Sequence, residues 1–83
     1  MPTVAKFDGI KIMFYYNEHP PPHFHAKFAQ NRAAIDIETL TVMEGLLPPG
    51  KLRLIIAWAS SRKLALHRTF MRAGKHDTLE QIL

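Results

Sequence analysis

Two runs near the start of the chain, Thr3 to Phe7 and Ile10 to Tyr16, alternate apolar and polar residues on either side of Asp8-Gly9. Period-two alternation marks a strand with one buried face, and Asp-Gly accepts the positive φ angles of a two-residue turn, so the pair predicts a β-hairpin. Its register sets Phe7 opposite Ile10, Ala5 opposite Ile12 and Thr3 opposite Phe14 on an apolar face. Lys6, Lys11, Met13 and Tyr15 then take the other face. Prolines 20 to 22 donate no ladder hydrogen bond, so Asn17 to Pro22 reads as a stiff loop. Alternation resumes at His23, with Phe24, Ala26 and Phe28 on one side and His23, His25 and Lys27 on the other. With Gln30-Asn31 as the next turn, Arg32 to Glu38 supplies a fourth strand. That register pairs Phe24 with Ile37 and Ala26 with Ile35, and sets His25 opposite Asp36 and His23 opposite Glu38.

After Leu46-Leu47-Pro48-Pro49-Gly50 the spacing changes. Leu52, Ile55, Ala59, Leu66 and Phe70 recur at helical intervals, Pro49 suits the opening of a helix, and Gly74 suits its end. Ser60-Ser61-Arg62-Lys63 interrupts the stripe. The expectation is one long helix that bends there, with two helices as the alternative. Asp77 to Leu83 fits a short strand or a docked tail. The fold expected is α+β, a single domain over residues 1–83: an antiparallel four-stranded meander with one long helix packed on its apolar face. The opposite face is left uncovered.

Composition adds bounds. The chain has 83 residues, 47% of them hydrophobic, which supports a packed core but leaves little room for a large internal cavity. Without cysteine it has no disulfide, thiolate ligand or thiol nucleophile. No apolar run approaches the roughly 20 residues that span a bilayer, and Pro2-Thr3-Val4 does not begin a secretory signal, so a cytoplasmic protein with no membrane association is expected. The net charge of +4 is unevenly spread: Lys51, Arg53, Arg62, Lys63, Arg68, Arg72 and Lys75 occupy residues 51–76 with no acid among them. Such a field attracts RNA, DNA or an acidic protein, and Arg62, Lys63, Arg68 and Arg72 are the candidate nucleic-acid-binding residues. A solvated helix face is the plain alternative.

The candidate chemistry lies in Glu18-His19-Pro20-Pro21-Pro22-His23-Phe24-His25, where three of the five histidines crowd together. A divalent metal such as zinc could be held by His19, His23 and His25 with an oxygen from Glu18, Asp36 or Glu38, although the spacing matches no specific zinc signature. The same face also offers an acid–base set. His23 and His25 would exchange protons, Asp36 would pair with a histidine, Lys27 or Arg32 would stabilise a pentacoordinate phosphate, and Tyr15 would assist. RNA carries its own 2′-hydroxyl nucleophile, so such a set suffices for metal-independent cleavage. Structural hydrogen bonding of the histidines is the ordinary alternative. The four glycines are scattered and form no phosphate loop, and no histidine accompanies Ser60-Ser61.

The Met-Pro-Thr start, Phe7-Asp8-Gly9-Ile10, Glu18-His19 with Pro21-Pro22-His23-Phe24-His25-Ala26, Gly45-Leu46-Leu47-Pro48 and Trp58-Ala59 together resemble the small bacterial proteins of the domain-of-unknown-function 4160 family. The family pattern has a histidine four residues after the tryptophan and ends its helix in Asn-Trp; this chain has Arg62, and Thr69-Phe70. The resemblance implies pairing with another small protein in a two-gene, toxin–antitoxin-type module. The expectation is therefore a small basic component that binds or cleaves RNA through its histidine face, alongside a small acidic cognate protein. A non-enzymatic protein-interaction module and a histidine-based metal-binding protein are the alternatives.

Overall fold

The computed structural model describes residues 2–83; Met1, part of the Met-Pro-Thr start, lies outside the described residues. Five strands form one antiparallel meander in chain order: β1 (Thr3–Phe7), β2 (Ile10–Met13), β3 (His23–Phe28), β4 (Asn31–Asp36) and β5 (Val42–Gly45). Two helices follow, α1 (Pro49–Ser60) and α2 (Lys63–Gly74). The α+β class is as expected, with one strand more and two helices in place of one.

The first hairpin turns on Asp8 and Gly9 at φ 51° and 77°, and Phe7 faces Ile10 and Ala5 faces Ile12. Beyond that a bulge at Val4 sets Thr3 opposite Met13, not Phe14, and both Val4 and Ala5 turn inward. The next turn is Ala29-Gln30, not Gln30-Asn31, with Ala29 at φ 54°. The β3–β4 register therefore slips by two residues: Phe24 faces Ile35, Ala26 faces Ala33, His23 faces Asp36, His25 faces Ala34 and Lys27 faces Arg32. A slip of two leaves every side chain on its own face, so the hydrophobic pattern cannot distinguish the two registers and only the turn decides.

The unforeseen β5 is short and exposed on all four residues, so it carries no alternation to detect. It pairs through Ile35–Val42, Ala34–Glu44 and Ala33–Gly45. Gly45 sits at φ 87°, and a Cβ there would lie 2.2 Å from the Arg32 carbonyl oxygen. Gly45→Ala is expected to cost on the order of 2 kcal/mol in chemical denaturation, the loss being limited because β5 can detach from its edge.

Buried residues of the sheet's inner face, among them Ile10, Ile12, Phe14, Phe24 and Ile35, pack with Ile55 and Ala59 of α1 and Leu66 and Ala73 of α2. The chain breaks between helices because Arg62 satisfies the end of α1: its backbone N–H donates to Ala59 O at 2.9 Å and its guanidinium to Trp58 O at 2.7 Å. The last residues dock as an irregular tail. Ile82 N–H donates to Val4 O at 2.7 Å and the Gln81 amide to Thr3 O at 2.7 Å, covering the outer edge of β1. No helix is long and apolar enough to cross a membrane.

Candidate functional site

The proline loop delivers Glu18 to the outer face because it is moored at both ends, and at this end of the sheet that face is covered and not bare as expected, with Met13 and His23 buried and Phe70 of α2 against His23. Asn17 N–H donates to Ala73 O of α2 at 3.4 Å, and Pro22 O accepts from Ile37 N–H beyond β4 at 3.1 Å. Between these anchors Glu18 folds over the start of β3. One of its carboxylate oxygens, Oε1, lies 3.3 Å from His23 Nε2 and is hydrogen-bonded to His25 Nε2.

The histidines differ in their surroundings. His23 is buried to 7% exposure, its ring 5.5 Å from that of Phe70 and edge-on to His25 at 5.2 Å. Its Nδ1–H donates to Pro21 O at 2.7 Å, and since a carbonyl only accepts, the proton of a neutral ring sits on Nδ1 and the lone pair on Nε2. His25 is half-buried, with Tyr15 stacked on its ring at 4.1 Å. Both Nε2 atoms thus converge on one carboxylate. Glu18, His23 and His25 form the one group among the described residues with metal-ligand geometry, their donor atoms all within 4.8 Å of one another.

The other expected members fall elsewhere. His19 is exposed and outside this group. Asp36 faces His23 rather than His25, but its carboxylate caps the following turn, accepting from Glu38 N–H at 2.8 Å and Thr39 N–H at 3.0 Å. The Thr39 N–H, followed by Glu38 N–H and a smaller pull from His23, holds Asp36 below the usual carboxylate range against the opposing effect of burial. The stability this lends is complete above the unfolded value near 3.8 and is lost as pH falls through the lower folded value. Glu38 is exposed and engaged through its backbone, by N–H to Asp36 and by its carbonyl to Lys63, while its carboxylate joins no ion pair among the described residues.

The basic segment is largely occupied within the molecule. Arg62 holds Trp58 O and Leu83 O and lies over the Trp58 ring, Lys63 donates to Glu38 O at 2.7 Å, and Arg72 pairs with Glu80 at 3.7 Å. Arg68 and Arg72 line a groove of about 590 Å³ between α2 and the tail. Arg62 and Lys63 are tied to backbone carbonyls, so the four do not form one continuous free stripe, although Arg68 joins no ion pair among the described residues and Arg72 stays half exposed.

A cationic stripe does exist on the sheet. In register, Lys6 faces Lys11, Lys11 faces Lys27 and Lys27 faces Arg32, so four cations cross β1 to β4 in one line on the uncovered face. At about 4.8 Å between strands the line is roughly 14 Å long. Among the described residues none of the four joins an ion pair. Lys27 follows His25 by two residues on β3, so this line runs about 7 Å from the histidine site.

A family model described as domain of unknown function (DUF4160) matches residues 9–70. The chain belongs to the DUF4160 family. No curated protein and no solved structure matches it. The DUF4160 match contains Glu18, His23, His25 and Phe70, and the stripe from Lys11 to Arg32. Sequence reasoning had Glu18 only as an optional oxygen donor and Phe70 only as core. Phe70 of α2 walls His23, so the second helix reaches the site. The stripe was missed because no β2–β3 register could be read across the proline loop to join Lys11 to Lys27, and the misplaced turn set Lys27 opposite Ala34 in place of Arg32.

Proposed function

We propose that this DUF4160 protein binds single-stranded RNA across its uncovered sheet face and brings the backbone to the Glu18–His23–His25 site. The in-register line Lys6–Lys11–Lys27–Arg32 carries the reading. Like charges directly opposite one another destabilise a sheet, and three successive like pairs have no local compensation in the fold. A phosphate backbone supplies it, and Tyr15 beside His25 offers a ring at the same surface. RNA is favoured over duplex DNA because a flat sheet face admits splayed single strands and does not enter a groove. Our reading, supported only by the family resemblance, is that this activity belongs to a two-protein, toxin–antitoxin-type module.

Four phosphate contacts predict a log–log slope of affinity against salt of about −3. Fluorescence anisotropy of a labelled single-stranded RNA across a salt series measures it. A slope near zero would overturn the reading.

A second reading, non-enzymatic binding of a partner protein, rests on β5. That strand is the open edge of the sheet, and Val42, Met43 and Leu46 are exposed by 38%, 44% and 78%. An added strand would pair its free backbone groups and cover those side chains. Co-purification that survives high salt and is lost on Met43→Lys supports this reading.

A further inference from the structure

We propose that Glu18, His23 and His25 hold one divalent transition metal of the zinc class through Oε1 and the two Nε2 atoms. The inference deepens the RNA reading by naming the cofactor of its site, but it rests on separate observations. Two proton carriers working as acid and base should stand on opposite sides of a reacting group. Here both imidazoles aim at the same point, which is what coordination requires.

The His23 ring supports this independently. With Nδ1–H committed to Pro21 O, a neutral ring turns its lone pair toward a carboxylate oxygen 3.3 Å away. A neutral ring and the carboxylate would be two acceptors facing each other, joined either by an imidazolium proton or by a metal ion, and a metal placed there also engages His25 Nε2. Donation of the second ring N–H to a backbone carbonyl is also the usual way a metal-binding histidine is fixed in tautomer and orientation. Two ligands about 2.0–2.1 Å from a tetrahedral zinc stand roughly 3.3–3.4 Å apart, and the His23–Glu18 separation of 3.3 Å fits that edge. The His25–Glu18 contact is closer, so metal entry draws the Glu18 carboxylate back. Glu18 can move because it sits on the loop at 26% side-chain exposure, and the three donor atoms, within 4.8 Å of one another, close on the ion by turns of the side chains while β3 holds the histidine backbone in place.

A nitrogen–nitrogen–carboxylate set without cysteine suits zinc and its first-row neighbours better than magnesium or calcium, which prefer all-oxygen shells. Three protein ligands leave a fourth position for water or a phosphate oxygen, as in sites that do chemistry. A phosphate held there would lie beside Lys27. The metal would polarise it, while the cationic line positions the rest of the strand.

Isothermal titration of the whole chain with zinc ion alone should show one equivalent bound, and cobalt(II) should give the visible absorption of a four-coordinate site. Glu18→Gln should weaken zinc binding by roughly 10–100-fold or more, since it removes a ligand and not just a supporting partner. His25→Ala should abolish it, and His19→Ala should leave it unchanged. Circular dichroism verifies that each variant is folded; Glu18 and His25, rather than buried His23, are chosen for that reason. Absence of zinc binding, or one equivalent retained in both folded Glu18 and His25 variants, would overturn the inference. RNA binding measured in chelator separates the two proposals: salt-dependent binding without a zinc site leaves the RNA reading standing, and zinc binding without RNA affinity leaves only the metal site.

Discussion

Phe24→Ala is expected to lose roughly 3–5 kcal/mol of folding free energy, against a total of about 4–12 kcal/mol for a domain of this length. Phe24 is fully buried and faces Ile35 across the β3–β4 pair. Its removal leaves a cavity in the core between sheet and helices that a small sheet cannot collapse to fill. Urea denaturation should show a much lower midpoint or an unfolded chain at ambient temperature. His25→Ala, one residue along the same strand, should behave differently. It projects to the other face and gives up the Tyr15 stack and the Glu18 contact, a loss of about 1–2 kcal/mol. A large loss at His25 and a small one at Phe24 would mean that the two faces of β3 are exchanged.

The assignment of faces was legible because it depends only on parity. Asp8-Gly9 fixed the first hairpin through turn chemistry, and alternation from His23 placed Phe24 and Ala26 inward and His25 and Lys27 outward. Cross-strand partners were less legible. Ala29 adopting φ 54° in place of Asn31 moved Asp36 from His25 to His23, and a residue with no turn preference gave no warning. β5 was invisible because Val42–Gly45 is exposed throughout. The helix break was visible as Ser60-Ser61-Arg62-Lys63, yet the deciding contact, Arg62 on Trp58 O, joins side chain to backbone and leaves no periodic trace. At the site, the histidine cluster stood out in the sequence. The choice of Glu18 over His19 as third member did not, because adjacent loop residues point in directions that only the fold of the loop determines.

Charge reversal at the centre of the cationic line should move stability and RNA affinity in opposite directions. Lys11 stands between Lys6 and Lys27 and is exposed, so Lys11→Glu converts two repulsive cross-strand pairs into attractive ones. Each such pair is worth roughly 0.2–1 kcal/mol, so urea denaturation should show a domain as stable as the parent or slightly more so. RNA affinity should fall by about tenfold or more, with the salt slope shallower by about one unit, because a phosphate contact is lost and a repulsion is added. The same reversal at Arg68, on α2 and away from the sheet face, should leave affinity nearly unchanged. A stabilised fold that binds RNA less well would mark the line as kept for a ligand at the expense of the sheet. If affinity instead follows Arg68 and ignores Lys11, the interface lies on the helix and the sheet-face reading fails.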